Sequence, residues 1–346
     1  MKAAKRAKTC FQMSFKNLPP LNVDVWRGAN IESRHSVSAV VVNSSGQIQH
    51  AWGETSQKIY PRSSIKALQA LPIILSGAVD RFAISEIELA LASASHNGEP
   101  EQVEVIQRWL QRLGLSVNDL ECGAHLPGYP KAAAHLIQSG NQFTALHNNC
   151  SGKHTGMLAT ALALQKGTQG YSKASHPVQT MIKKLIEDFC SEQIPETDIA
   201  IDGCSIPTYY LPMKSLATGM ARLGDPENLI ATYRQAAAKV YASIVANPYF
   251  VAGTDRYCTL IMTALNGRAL VKTGAEGVMF ATIPELKLGV VVKVHDGAVR
   301  AAEIAMSFIL NELGLLDQQS AGKFCEIPVR NWNQILTGRI IINSEL

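Results

Sequence analysis

Ser63 and Lys66 stand three apart in Arg62-Ser63-Ser64-Ile65-Lys66, so on a helix they share one face. A serine hydroxyl attacks well only when a neighbouring base takes its proton. Lys66 is followed by Ala67, Leu68, Ala70 and Leu71, an apolar run that should desolvate it and lower its pKa toward that of a base. Ser64 would leave Lys66 two positions away and pointing elsewhere, which favours Ser63. A second pair comes from Ser95-His96-Asn97 and, far downstream, Lys272-Thr273-Gly274. In bland terms the first pair is a capping serine with a solvated lysine, and Ser95–Glu99 is a polar turn. The ordered set S-x-x-K, S-x-N, K-T-G is far more specific than either fragment alone. A third constellation, His147-Asn148-Asn149-Cys150-Ser151-Gly152-Lys153-His154, meets Asp202-Gly203-Cys204 later in the chain. It admits a Cys150–His154 nucleophile, a zinc site with two thiolate ligands, or buried structural cysteines.

These residues need a scaffold. Alternation over Val37, Ala39, Val41 and then Ile48, His50, Trp52, around Asn43-Ser44-Ser45-Gly46, predicts a hairpin, with Asn22 to Gly28 as a further strand. Ser63 opens a helix-forming run after Pro61, in a first turn whose N–H groups are unpaired. Apolar residues at helical spacing predict helices over Ala83–Ala94, Pro100–Leu113, Gly152–Gln165, Pro177–Cys190 and Asn228–Asn247. Strand character returns at Arg268–Lys272, Gly277–Ile283 and Leu286–Val294, with Pro284-Glu285 as a turn, and an amphipathic helix follows over Ala298–Leu313. Strands from the two ends must pair to avoid bare edges. The expected fold is α+β: an antiparallel sheet with flanking helices plus a helical lobe. The expected parts are an N-terminal extension (1–21), a sheet part (22–61 with 255–346) and a mainly helical lobe (62–254).

The 346 residues, 47% hydrophobic and 17% charged, suit a sizeable core. A net charge of +4 is spread out, and the basic cluster Lys2, Lys5, Arg6 and Lys8 lacks interleaved aromatics, so no nucleic-acid partner is expected. No apolar run is long enough for a membrane span. Thr9, Gln12, Ser14, Lys16 and Asn17 break any signal-peptide core. Seven irregularly spaced cysteines argue against a disulfide framework, and a cytoplasmic setting is expected.

The motif set resembles that of penicillin-binding proteins, serine β-lactamases and glutaminases. More specifically, Arg62 to Pro72, Ser95 to Pro100, His147 to Met157 and Lys272 to Gly277 resemble the Rhizobium-type L-asparaginases, over about Asn22 to the C-terminus. The resemblance implies a β-lactamase/glutaminase-like fold, a homodimer, and hydrolysis of L-asparagine by two Ser–Lys pairs, Ser63 with Lys66 and Ser95 with Lys272. It also implies zinc held by Cys150, Lys153 and Cys204, with Asp202 beside them. Arg62, Asn97, Glu99 and Ala275 are the expected substrate contacts, Glu99 for the α-amino group. Ala275 and Ser63 would offer N–H groups to the oxyanion. The family carries an acidic residue where this chain has His295. Glutamine and β-lactams are the rival substrates.

Overall fold

The structure, a computed structural model, describes residues 17–343. The basic cluster Lys2, Lys5, Arg6 and Lys8, and the rest of the expected extension through residue 16, lie outside the described residues. A nine-stranded sheet organises the protein, and the long strand Asn30–Asn43 is its axis. Its first half pairs with Leu21–Arg27 and its second with Ile48–Trp52. Along the other edge it pairs antiparallel with Leu288–Val294, from Val37 opposite Val294 to Asn43 opposite Leu288. Val278–Ile283 and then Leu270–Gly274 continue the sheet. The two ends of the chain therefore close one sheet, as the sequence requires.

Val40, Val41, Val290, Val291, Val292, Met279 and Phe280 are all fully buried. Neighbouring residues on a strand face opposite ways, so both faces must be covered. Two helices supply much of that cover, Val299–Glu312 and Met213–Gly224, each packed on Leu288–Val294. The second packs very closely: a Cβ on Gly289 would sit 2.0 Å from the Ala217 carbonyl oxygen. The sequence reading placed this segment in the mainly helical lobe but bounded no helix in it. Gly219, Thr218, Ser215 and Gly224 give the segment low intrinsic helix propensity, and burial against the sheet overrides it.

Helices Pro100–Arg112, Ser151–Ala163, Pro177–Cys190 and Ala231–Ala246 lie where expected. The expected Ala83–Ala94 helix is shorter, Glu86–Ala92, with a capping box on Ser85 and Glu88. The C-terminal hairpin Glu326–Arg330 and Leu336–Ile342 was not anticipated, and its second strand pairs with Leu21–Arg27. No helix among the described residues is long and apolar enough to cross a membrane.

Candidate active site

The Ser63–Lys66 segment begins as a single 3-10 turn, Arg62–Ile65, and continues as Lys66–Gln69 in α-helical form. Arg62 enters the turn at φ 51°, left-handed for a non-glycine residue. The edge strand Leu270–Gly274 lies against this turn: a Cβ on Gly274 would come within 2.7 Å of the Pro61 carbonyl oxygen and of Ser64 Oγ. Only glycine allows that approach, which carries Lys272 to the helix bearing Lys66. Ser95 leaves the Glu86–Ala92 helix through a loop pinned at two successive residues. Its N–H donates to Val251 O, and the His96 N–H donates to Asn149 O.

The meeting point of these elements is the Ser95 hydroxyl. Lys272 Nζ lies 2.8 Å from Ser95 Oγ, and Lys66 Nζ lies 3.0 Å from it. Both lysines are buried, 0% exposed for Lys66 and 2% for Lys272. Burial pushes both ammonium groups down from their ordinary value, and the Lys66 charge lowers Lys272 further. Lys66 also bonds Ala94 O and, at 3.1 Å, Cys150 Sγ. Ser63 is half-buried, and its hydroxyl has no hydrogen-bond partner among the described residues. The structure thus joins both lysines to Ser95, and leaves Ser63 on the adjoining turn without a direct bond to Lys66.

The second cluster adjoins the first through Cys150. Cys150 caps the N-terminus of the Ser151–Ala163 helix, which is buried from Ser151 to Ala161. Lys153, in the first turn, reaches 3.0 Å to Cys204 Sγ, and Cys204 hydrogen-bonds Cys150. Cys204 sits in the turn between strands Ile199–Ile201 and Pro207–Tyr209. That hydrogen bond, with Lys153 and Lys66 near, holds the Cys150 thiol well below its ordinary value; the same bond and burial push Cys204 up. Burial opposes the charge on Lys153, but the two sulfurs overcome it and keep its ammonium protonated. Asp202 joins the cluster to the Ser63 turn: its Oδ1 accepts from Arg62 Nε at 2.6 Å, and its Oδ2 lies 3.9 Å from Cys204 Sγ. His154 is turned away from Cys150 and bonds the Tyr171 hydroxyl at 2.7 Å, so no Cys150–His154 pair forms.

The sequence profile of L-asparaginase II proteins matches residues 23–342. The chain belongs to the L-asparaginase II family. No curated protein matches it in sequence. Solved structures of partial likeness include Mglu in its native form at 4.3 M NaCl, 9% identical, with a TM-score of 0.46 over 85% of this chain and 66% of that one. This chain thus spans about two thirds of the Mglu length. A β-lactamase (Mb2281c) from Mycobacterium bovis is 14% identical, TM-score 0.39, over 81% of this chain and 95% of its own. A putative β-lactamase from Bacteroides dorei is 10% identical, TM-score 0.38, over 85% and 94%. Such distant likenesses carry no argument about chemistry.

In this member of the L-asparaginase II family the remaining expected contacts are placed as follows. Asn97 spends its amide on Thr254 O at 3.0 Å, Glu99 Oε1 at 3.2 Å and the Arg256 guanidinium at 3.0 Å. Both Glu99 oxygens accept from Thr254, its N–H and its hydroxyl, each at 2.7 Å. Glu99 thus fastens the 253–256 loop, and an amino group would have to compete for it. Ala275 is exposed just past Gly274. His295, the departure from the family pattern, bonds Ser38 Oγ at 3.0 Å. Sequence reasoning gave no role to His96 or Arg256. His96 Nδ1 accepts from the Gly98 N–H, and its Nε2–H donates to Ser151 Oγ, which ties the Ser95 loop to the Cys150 helix. Burial, then Lys66, pushes His96 down to about 3, so it stays neutral. Its place inside Ser-His-Asn was the available signal; Arg256 stands in no motif.

Proposed function

We propose that this chain is an amidohydrolase that converts L-asparagine to L-aspartate and ammonia through a serine acyl-enzyme. The observation that carries the reading is the Ser95 hydroxyl held between two buried lysines. Neutral Lys66 has two N–H donors and one lone pair. Ala94 O and the Cys150 sulfur take the donors, which leaves the lone pair for the Ser95 proton. Ser63, on the exposed side of the turn, attacks the side-chain carbonyl carbon. Its proton passes through Ser95 to Lys66. The oxyanion takes N–H groups of Ser63 and Ala275. Lys66 then returns a proton through Ser95 to the departing nitrogen, which leaves as ammonia. Water, losing a proton to the same network, cleaves the ester, releases L-aspartate and restores Ser63.

The two-thiol, one-amine set fits a soft cation in chemistry. Among the described residues no three His, Cys, Asp or Glu side chains form a metal site. Cys150, Lys153 and Cys204 would hold zinc once Lys153 gave up its proton, with Asp202 alongside. Bound zinc would supply charge neutralisation for the thiolates and fix the Asp202–Cys204 turn.

A second reading has Ser95 itself as the nucleophile, and its bonds to both lysines favour that. Mass spectrometry of the protein trapped with a slowly deacylating asparagine analogue separates the two. The acyl group is expected on Ser63. Its appearance on Ser95 would reverse the roles, and turnover with neither serine ever acylated would sink the acyl-enzyme. L-asparagine, L-glutamine and a chromogenic β-lactam, assayed side by side, test the substrate class.

A further inference from the structure

Two arginines flank the serine–lysine site, and their charges are handled differently. Arg62 is already neutralised, its Nε bonded to the Asp202 carboxylate at 2.6 Å. Arg256 forms no ion pair among the described residues. Its single hydrogen bond runs from Nη1 to Asn97 Oδ1, a neutral acceptor, at 3.0 Å. Nε and Nη2 donate to no atom of the described residues. Glu303, whose carboxyl feels the Arg256 charge, lies beyond ion-pair distance and is pushed up by burial. Neither Nε nor Nη2 of Arg256 is a buried atom without a partner, so both stay within reach of solvent and of an anion that enters from it.

Its position says where that anion would sit. Asn97 is two residues from Ser95, and Thr254 O and Arg256 grip the two ends of the Asn97 amide. Arg256 leads into the Tyr257–Leu265 helix, where Cys258 Sγ accepts the Thr273 N–H at 3.3 Å. Thr273 follows Lys272 directly. The Arg256 charge therefore bears on Lys272, whose Nζ holds Ser95 Oγ at 2.8 Å. A planar fork with two free donors matches a carboxylate in bidentate geometry.

We propose that Arg256 binds the α-carboxylate of the amino-acid amide and so sets which amides the site accepts. This rests on the amidohydrolase reading and adds the group that recognises the non-reacting end. The alternative is purely structural, with Arg256 only holding Asn97 in place. Steady-state rates on L-asparagine and L-asparaginamide, whose α-carboxylate is replaced by a neutral amide, distinguish the two. The wild-type protein is expected to prefer L-asparagine. Arg256→Gln, which can still donate to Asn97, should lower kcat/KM for L-asparagine by about 10- to 150-fold, the worth of one charge-assisted contact. It should leave L-asparaginamide within about 3-fold, so that the preference collapses. Arg256→Lys should recover part of it, since it keeps the charge but loses the fork. An equal fall on both substrates would overturn the proposal in favour of the structural role. Should the wild-type protein hydrolyse neither amide, the amidohydrolase reading fails, and calorimetry with L-aspartate still tests Arg256. Weaker binding by Arg256→Gln would keep the carboxylate site; unchanged affinity, or none in the wild-type protein, would remove it.

Discussion

At the scale of single residues, the chemistry turns on which lysine is free to accept a proton. Burial holds the Lys66 pKa down, against the pull of the Cys150 sulfur beside it, and a carbonyl and that sulfur occupy the two N–H bonds of its neutral form. Arginine at this position stays protonated at any working pH. Lys66→Arg should therefore cost about 10²- to 10⁴-fold in kcat, the range of lost general-base catalysis. Lys66→Met, which keeps the stem volume but has no lone pair, should be as damaging. A Lys66→Arg protein that melts like the wild type and turns over L-asparagine at a comparable rate would remove the base role.

The elements explain what could and could not be read from sequence. Strands that are buried on both faces announce themselves, because Val290–Val292 and, on the axis strand, Val40–Val42 are uninterrupted apolar runs. The helix Pro177–Cys190 was legible to the residue because Pro177 and its 3.6-residue apolar period both mark it. Met213–Gly224 was not, since its helicity comes from the sheet beneath it. The Glu326–Arg330 strand alternates exposed and half-buried residues around Pro328, a weak pattern that only its partner strand makes into structure. In the site, spacing put Lys66 with Ser63, whereas the fold brings it to Ser95. Periodicity reports which face of a helix a side chain is on, and says nothing of what a distant loop places against that face. The cysteine turn is the element that zinc would act on, because Asp202–Cys204 reaches both the Cys150 helix and the Ser63 turn. Purified wild-type protein is expected to carry zinc by elemental analysis, and Cys150→Ser to lose it and to raise KM more than it lowers kcat. An active wild-type protein free of zinc, with kinetics unmoved by added zinc, would return both cysteines to ordinary buried thiols.

For the whole molecule, the site is a stability cost as well as an asset. Lys272 is buried beside Lys66, and burial first, then that like charge, holds its folded pKa well below the 10.5 of a free lysine. Between the depressed folded value and 10.5 the unfolded chain binds a proton at this position that the folded protein does not. Stability must then rise with pH across that window, by at most about 1.4 kcal/mol per pH unit for one group. Below the folded pKa both states are protonated, the burial penalty is fully present and the slope from Lys272 vanishes. Lys272→Met removes the titrating group and keeps an unbranched side chain of similar reach. Other groups titrate in both proteins, so the difference between the two isolates Lys272. Urea unfolding of both across a pH series should show the wild type gaining on Lys272→Met as pH rises toward 10.5, with the variant's advantage greatest at the acidic end. Two curves that run parallel at every pH would mean that Lys272 titrates alike in the folded and unfolded chain, and the desolvated lysine beside Ser95 would have to be given up.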